Sequence, residues 1–263
     1  MIKLSLYVIT FNEEKRLGRT LKAARPLVDE IVVVDCGSTD RTREIAESFG
    51  ARFYHNDWVS FGDQVRVAEE YCTNDWILRL DADEEIGEEL AGEIMVIKEG
   101  PDYDGYRLRI GEVYPGVDKP IRWAKHYKLI RLYDRTKMKM MGRLDHDAVD
   151  PIVPHPKVRT LHGFINHHSY VSLSQVIDKQ NRATDTQIHM IAQGGRSYRP
   201  WRVIGTSTLT FLKCYIIQRH FLYGYWGFIN AVTVAFFRFA KFAKWYEHQI
   251  EQKLDDSKPF IDS

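Results

Sequence analysis

The sequence predicts an α/β protein built on a doubly wound, mostly parallel sheet flanked by helices, followed by an amphipathic helical extension. Short β-branched runs alternate with amphipathic helical stretches through residues 1–100, the rhythm of βαβ units. Three of the apolar runs end in clusters of acidic and hydroxyl residues, at the strand ends where open sheets bind ligands. The chain has 263 residues, 44% apolar and 28% charged, which suits one large globular domain with an appendage and excludes a disordered, collagenous or disulfide-scaffolded chain.

Leu4 to Ile9 reads as a central strand. The apolar run is short, interrupted by Ser5, and stops at Asn12-Glu13-Glu14 rather than at a cleavage site, so a buried strand is expected and not a signal peptide. A helix follows from about Glu13 to Ala24, then a strand at Ile31–Val34. Ser38-Thr39-Asp40 caps a helix through Phe49. Ala51–Tyr54 is a short strand, a helix spans about 61–71, and Trp76–Leu80 is a fourth strand. Beyond residue 100, Tyr106–Ile110 and Leu129–Tyr133 alternate apolar with basic residues, as half-buried strands do. The loop between them, Gly111 to His126, carries Pro115, Gly116, Pro120 and Trp123. Val171 to Gln193 reads as a helix ended by Gly194-Gly195, and from Trp201 onward the chain is helical, aromatic and basic. The expected division is a sheet domain at 1–195, in halves 1–100 and 101–195, and a basic, aromatic helical extension at 196–263.

A net charge of +1 conceals a gradient: residues 1–100 carry −9, residues 101–195 carry +5, and residues 196–253 carry +7. An acidic front half argues against nucleic acid as a partner. A basic, aromatic tail suits an anionic membrane surface. Phe221–Phe237 holds no charge but is bracketed by Arg219 and Arg238, which favours a helix pair lying in the membrane plane over a crossing, with Arg238, Lys241 and Lys244 facing lipid phosphates. The alternative is that this segment packs on the sheet or forms a homo-oligomer interface. Cys36, Cys72 and Cys214 form no CxxC pair, so packing thiols in a reducing cytoplasm are expected, the protein sitting peripherally on the inner face of the cell membrane.

The strand ends are Thr10-Phe11-Asn12-Glu13, Asp35-Cys36-Gly37-Ser38-Thr39-Asp40 and Asp81-Ala82-Asp83-Glu84-Glu85. Crowded acids repel unless a cation offsets them, and a divalent ion held by one or two carboxylates and ligand phosphates meets that need. Neither GxGxxG nor GxxxxGKS is present, leaving phosphates to the metal and to basic side chains. His146, His155, His162, His167 and His168 raise a zinc alternative, but their spacing fits no HExxH or paired Cys/His pattern. Plainer roles exist as well: Asp35 and Asp40 as helix caps, Asp83 as a turn residue, Asp147 as a surface carboxylate, and His167 and His168 as packing residues.

These motifs, Val8–Glu14, Val33–Asp40 and Leu80–Glu84, resemble those of family 2 glycosyltransferases with the GT-A fold. The second half is similar to the bacterial enzymes that add glucose or a related sugar to lipopolysaccharide inner core, through Leu129–Tyr133, His146-Asp147, His167 to Ser172, Asn181-Arg182, and Phe211, Lys213 and Tyr215. The resemblance implies that Thr10, Asn12 and Glu13 line the nucleotide base pocket with Asp35, Gly37 and Ser38, and that Arg66 lies near the base or diphosphate. Asp81 and Ala82 would face the ribose, and Asp83 would ligate Mg2+ or Mn2+ on the diphosphate of a UDP-sugar. His167 would complete the metal site or hold the diphosphate. Asp147 is the implied general base, with Asp145 its nearby rival, and Asp147 stands where the branch carries Glu. Tyr114, Trp123 and Tyr127 are expected to wall the acceptor, because aromatic faces suit sugar rings. The expected activity is inverting, metal-dependent transfer of a hexose to a lipopolysaccharide-core or other lipid-linked glycan. The rival readings are a sugar-phosphate nucleotidyltransferase and a non-catalytic, membrane-associated nucleotide-sugar-binding protein.

Overall fold

The computed structural model describes residues 1–141, 149–193 and 202–256, which form two compact units: residues 1–120 with 126–169, and residues 121–125 with 170–263. The first unit runs β1 (Leu4–Thr10), α1 (Leu17–Ala24), β2 (Glu30–Asp35), α2 (Thr42–Ser48), β3 (Arg52–His55), α3 (Phe61–Tyr71), β4 (Trp76–Arg79), β5 (Glu84–Ile86), α4 (Glu88–Glu99), β6 (Gly105–Glu112), β7 (Tyr127–Asp134), β8 (Met138–Met140), β9 (Val149–Pro151) and β10 (Val158–His167).

Eight strands form one sheet in the order β3-β2-β1-β4-β7-β6-β10-β5, and β8 and β9 pair separately. β1 is parallel to β2 and β4, β2 to β3, and β6 to β10, whereas β7 lies antiparallel between β4 and β6. This is the expected mostly parallel α/β sheet. Its two faces follow from strand alternation. Leu4, Leu6 and Val8 pack with Leu17 and Leu21 of α1 and Leu90 and Ile94 of α4; Tyr7, Val32 and Val34 pack with Val65 and Ala68 of α3 on the other face.

β10 carries the feature that positions the site. Its pairing with β6 shifts register between Thr160 and Phe164. Through that bulge the Glu93 carboxylate of α4 accepts the backbone N–H groups of His162 at 3.0 Å and Gly163 at 2.8 Å. Helix and strand approach so closely that a Cβ on Gly163 would lie 2.3 Å from the Leu90 nitrogen. Beyond the bulge, His167 pairs with Glu112 of β6 on one side and Glu84 of β5 on the other.

The second unit comprises α5 (Leu173–Gln193), α6 (Arg202–Leu212), a π-helical turn (Lys213–Ile217), a 3-10 turn (His220–Tyr223) and α7 (Gly224–Asp256). The helix 173–193, assigned to the sheet domain on sequence grounds, clusters here with the tail. Among the described residues no helix is long and apolar enough to cross a membrane. Lys244, expected to face lipid phosphates, instead reaches α5: its Nζ lies 2.6 Å from Asp185 Oδ1 and 2.8 Å from Asn181 Oδ1.

Candidate active site

The site begins where β1 and β2 end in register, Thr10 opposite Asp35. Asp35 is buried and its two oxygens take four donors. Oδ1 accepts from the N–H groups of Gly37 and Ser38 at 2.8 and 2.7 Å, and Oδ2 from the hydroxyls of Thr10 and Ser38 at 2.7 and 2.5 Å. The turn this fixes needs Gly37 at φ +108°, a conformation that costs side-chain-bearing residues heavily. Asn12 adopts φ +55° and stitches the two loops together: its N–H donates to Ser38 Oγ at 2.7 Å and its Oδ1 accepts from the Thr39 N–H at 2.9 Å. Glu13 N–H donates to Thr42 Oγ1 at 2.7 Å. The residues expected to line a base pocket are therefore brought together, with Asp35 saturated as the brace of their loop rather than as an open acceptor.

β4 supplies the acids. Asp81 lies between two guanidinium groups, Arg79 Nη2 at 3.0 Å and Arg131 Nη2 at 2.9 Å. Arg131 also pairs with Glu84 at 3.1 Å, and Glu84 accepts the Asp81 N–H at 2.9 Å. Burial pushes the Asp81 carboxyl up, but Arg131 and Arg79 overcome it and hold it far below the usual carboxylate range. Burial wins at Glu84, which is raised. Ala82 is anchored by its carbonyl, which accepts from Thr20 Oγ1 of α1 at 2.9 Å.

Asp83 points elsewhere. Its Oδ2 meets Arg16 Nη1 at 3.3 Å and its Oδ1 meets His167 Nε2 at 3.5 Å. Arg16 is itself clasped by Glu13 at 2.6 and 2.7 Å. His167 Nδ1 lies 3.0 Å from Glu112 Oε1, whose other oxygen accepts from Ser169 Oγ at 2.6 Å. Burial lowers the His167 pKa, but hydrogen bonds to Asp83 and Glu112 outweigh it and raise the imidazole to about 10. His168 fastens the same corner, its N–H donating to the Asp83 carbonyl at 2.9 Å and its Nε2 lying 2.9 Å from Glu85.

The acid repulsion that suggested a metal is thus offset largely by the chain's own cations, Arg16, Arg79, Arg131 and His167. Among the described residues no three His, Cys, Asp or Glu side chains converge as a closed metal centre. Asp83 and His167 do stand side by side. A carboxylate and an imidazole that gives up its proton as the ion binds fit a divalent ion that takes its other ligands from phosphate and water. The two residues expected to hold Mg2+ or Mn2+ are therefore side by side, Asp83 from the turn between β4 and β5 and His167 from the end of β10.

Arg66 is bridged to Asp63 at 2.8 Å and Glu70 at 2.7 Å on its own helix, an exposed pairing. Asp147, with its neighbours Asp145 and His146, lies outside the described residues. Of the expected acceptor wall, Tyr114 is buried in the core, whereas Trp123 and Tyr127 are exposed. Sequence reasoning missed Arg16, Arg79, Arg131 and Glu112. A signal existed for two of them: an arginine inside Trp76–Leu80 or inside Leu129–Tyr133 sits on a buried strand, and a buried guanidinium requires an acid partner.

A family model described as glycosyl transferase family 2 matches residues 5–154. An uncharacterized glycosyltransferase of Rickettsia typhi is 32% identical over 96% of this chain and 90% of its own length. A lipopolysaccharide core biosynthesis glycosyltransferase of Rhizobium meliloti is 27% identical over 97% of both chains. The crystal structure of S. aureus TarS 1-349 superimposes with a TM-score of 0.47 at 16% identity, over 85% of this chain and 73% of that one. With its family model covering residues 5–154, the acidic strand end among them, the chain belongs to glycosyl transferase family 2 and is a glycosyltransferase.

Proposed function

We propose that the protein moves a hexose such as glucose, with inversion, from a UDP-sugar to a hydroxyl of a lipopolysaccharide-core or other lipid-linked glycan at the inner face of the cell membrane. The observation that carries this is the Asp83–His167 pair at 3.5 Å, flanked by Arg16, beside the stitched loops of β1 and β2. Asp83 and His167 are the residues that would hold Mg2+ or Mn2+, and the ion's chemistry there is neutralisation of charge on the departing diphosphate. Arg16 adds fixed positive charge at the same place, held still by Glu13, and such preorganised charge lowers the barrier without reorganising during the reaction. Asp35 keeps the Gly37–Ser38 turn rigid, which positions the donor nucleotide. Asp147 is assigned the role of general base on the resemblance alone.

The lipopolysaccharide-core acceptor is supported by the Rhizobium relative, whose name carries that role. Membrane association is supported by exposed Leu209, Ile217 and Tyr225 and by the absence of any Asp or Glu between Asp185 and Glu247. The test is calorimetric titration of the protein with UDP, GDP, ADP and dTDP, with and without Mn2+. UDP is expected to bind tightly only with the metal, and Asp83→Asn to abolish the metal-dependent part. Metal-independent binding, or an unaffected Asp83→Asn variant, would overturn the site. Release of nucleoside diphosphate during turnover supports transfer; release of inorganic diphosphate would indicate nucleotidyl transfer instead.

A further inference from the structure

Within the second unit, α5, α6, the π-helical turn and α7 line a cavity of about 370 Å³. Three cations stand on its wall: Lys213 from the π-helical turn, and Arg238 and Lys241 from α7. Gln180 and Gln187 of α5 and Gln218 bring amide groups to the same space, over an apolar floor of Val234 and Phe237. Among the described residues no carboxylate lines the cavity and none of the three cations has an ion-pair partner. Nearby on α7 the contrast is clear, since Lys244 is neutralised by Asp185 at 2.6 Å.

Lys213 and Arg238 are exposed and Lys241 is half-buried, so like-charge repulsion around the cavity is felt most at Lys241. Burial, and then the neighbouring Arg238 guanidinium, push the Lys241 ammonium below the usual lysine range. The backbone adds an independent sign. The Gln218 N–H donates to the Lys213 carbonyl at 2.8 Å, an i to i+5 bond that widens the helix where Lys213 enters, and such π-turns recur at functional sites.

We propose that this cavity is a binding site for a phosphoryl group, with Lys213, Arg238 and Lys241 neutralising its charge and the glutamine amides donating to its oxygens. Three cations match the charge of a phosphate monoester, about −1.5 to −2, better than that of a carboxylate. The phosphoryl group comes either from a lipid headgroup or from a free phosphate. The site does not depend on the transferase reading, because none of its residues belongs to the acidic strand ends.

The full chain is tested with two probes: inorganic phosphate by calorimetry, and flotation with phosphatidylcholine vesicles with and without phosphatidic acid. Wild type is compared with Arg238→Gln, Lys241→Gln and the exposed control Lys22→Gln. Arg238→Gln and Lys241→Gln are each expected to weaken binding by about tenfold, with Lys22→Gln unchanged. In phosphate-free buffer Lys241→Gln is expected to melt no lower than wild type, since it relieves repulsion, and to lose the rise in Tm that phosphate gives wild type. A response to dissolved phosphate assigns a free anion as ligand, and a response confined to phosphatidic acid vesicles assigns a headgroup. Equal binding by all four proteins, no binding of either probe by wild type, or a lower Tm for Lys241→Gln without phosphate would each overturn the proposal.

Discussion

Asp81 and Asp83 are two residues apart, yet the chain solvates them differently. Asp81 sits between Arg79 and Arg131, both essentially buried, and is held ionised as part of a closed network. Asp83 shares one oxygen with Arg16 and turns the other toward His167. The consequences of mutation diverge accordingly. Arg131→Met leaves Glu84 without its buried counter-charge and Asp81 with Arg79 alone, and is expected to cost about 3–5 kcal/mol in urea denaturation, whereas Asp83→Asn is expected to affect binding far more than folding. Acid sensitivity is set at residues such as Asp104. The hydrogen bond from Lys137, and then the Lys157 N–H, hold its carboxyl below the usual range. A depressed folded-state pKa contributes stability that is present above the unfolded value, about 3.9, and is lost as pH falls through the folded value. Asp104→Asn is therefore expected to lose less stability than wild type between about pH 6 and about pH 3, as followed by thermal melts.

At the scale of elements, the close seat of α4 on β10 makes a sharp prediction. A methyl group at residue 163 would fall 2.3 Å from the Leu90 nitrogen and 2.5 Å from its Cα, and backbone cannot swing aside as a side chain can. Gly163→Ala is expected to destabilise by about 1–3 kcal/mol or more, with a fall in Tm of several degrees by calorimetry. β2 and β4 were legible because each carries an unbroken apolar run closed by turn residues, and β1 because Ser5 alone interrupts its run. α1 begins at Leu17 and not at Glu13, since residues 13–16 form the turn that meets the β2 loop. β5 and β10 were not legible for physical reasons. Glu84–Ile86 is too short and acidic to carry a strand pattern, and the bulge around Gly163 breaks the alternation of Val158–His167. The site was read to the same extent. The loops and Asp83 follow from local sequence, whereas Arg131, Glu112 and the partners of His167 depend on which strands become neighbours, which no local pattern encodes.

Across the molecule as a whole, charge is graded along the chain, from −9 over residues 1–100 to +7 over residues 196–253. A basic, aromatic surface drawn to anionic lipid is screened by salt. Flotation of the full chain with anionic vesicles is therefore expected to fall steeply between about 0.05 and about 0.5 M salt, and salt-insensitive flotation would count against an electrostatic component.

The position of β7 in the sheet has a consequence for how the protein is made. β4 lies beside β1, but its other edge is covered only by β7, which comes from residues 127–134 and delivers Arg131 to Asp81. His167 arrives later still. A nascent chain on the ribosome that has emerged only through residue 100 thus presents an open strand edge and an acid cluster lacking two of its cations, a state that invites aggregation. Residues 1–100 and 101–169 contribute strands to the same sheet and are not modules that can be expressed apart. Synthesis must run past His167 before the Asp83–His167 pair can form at all.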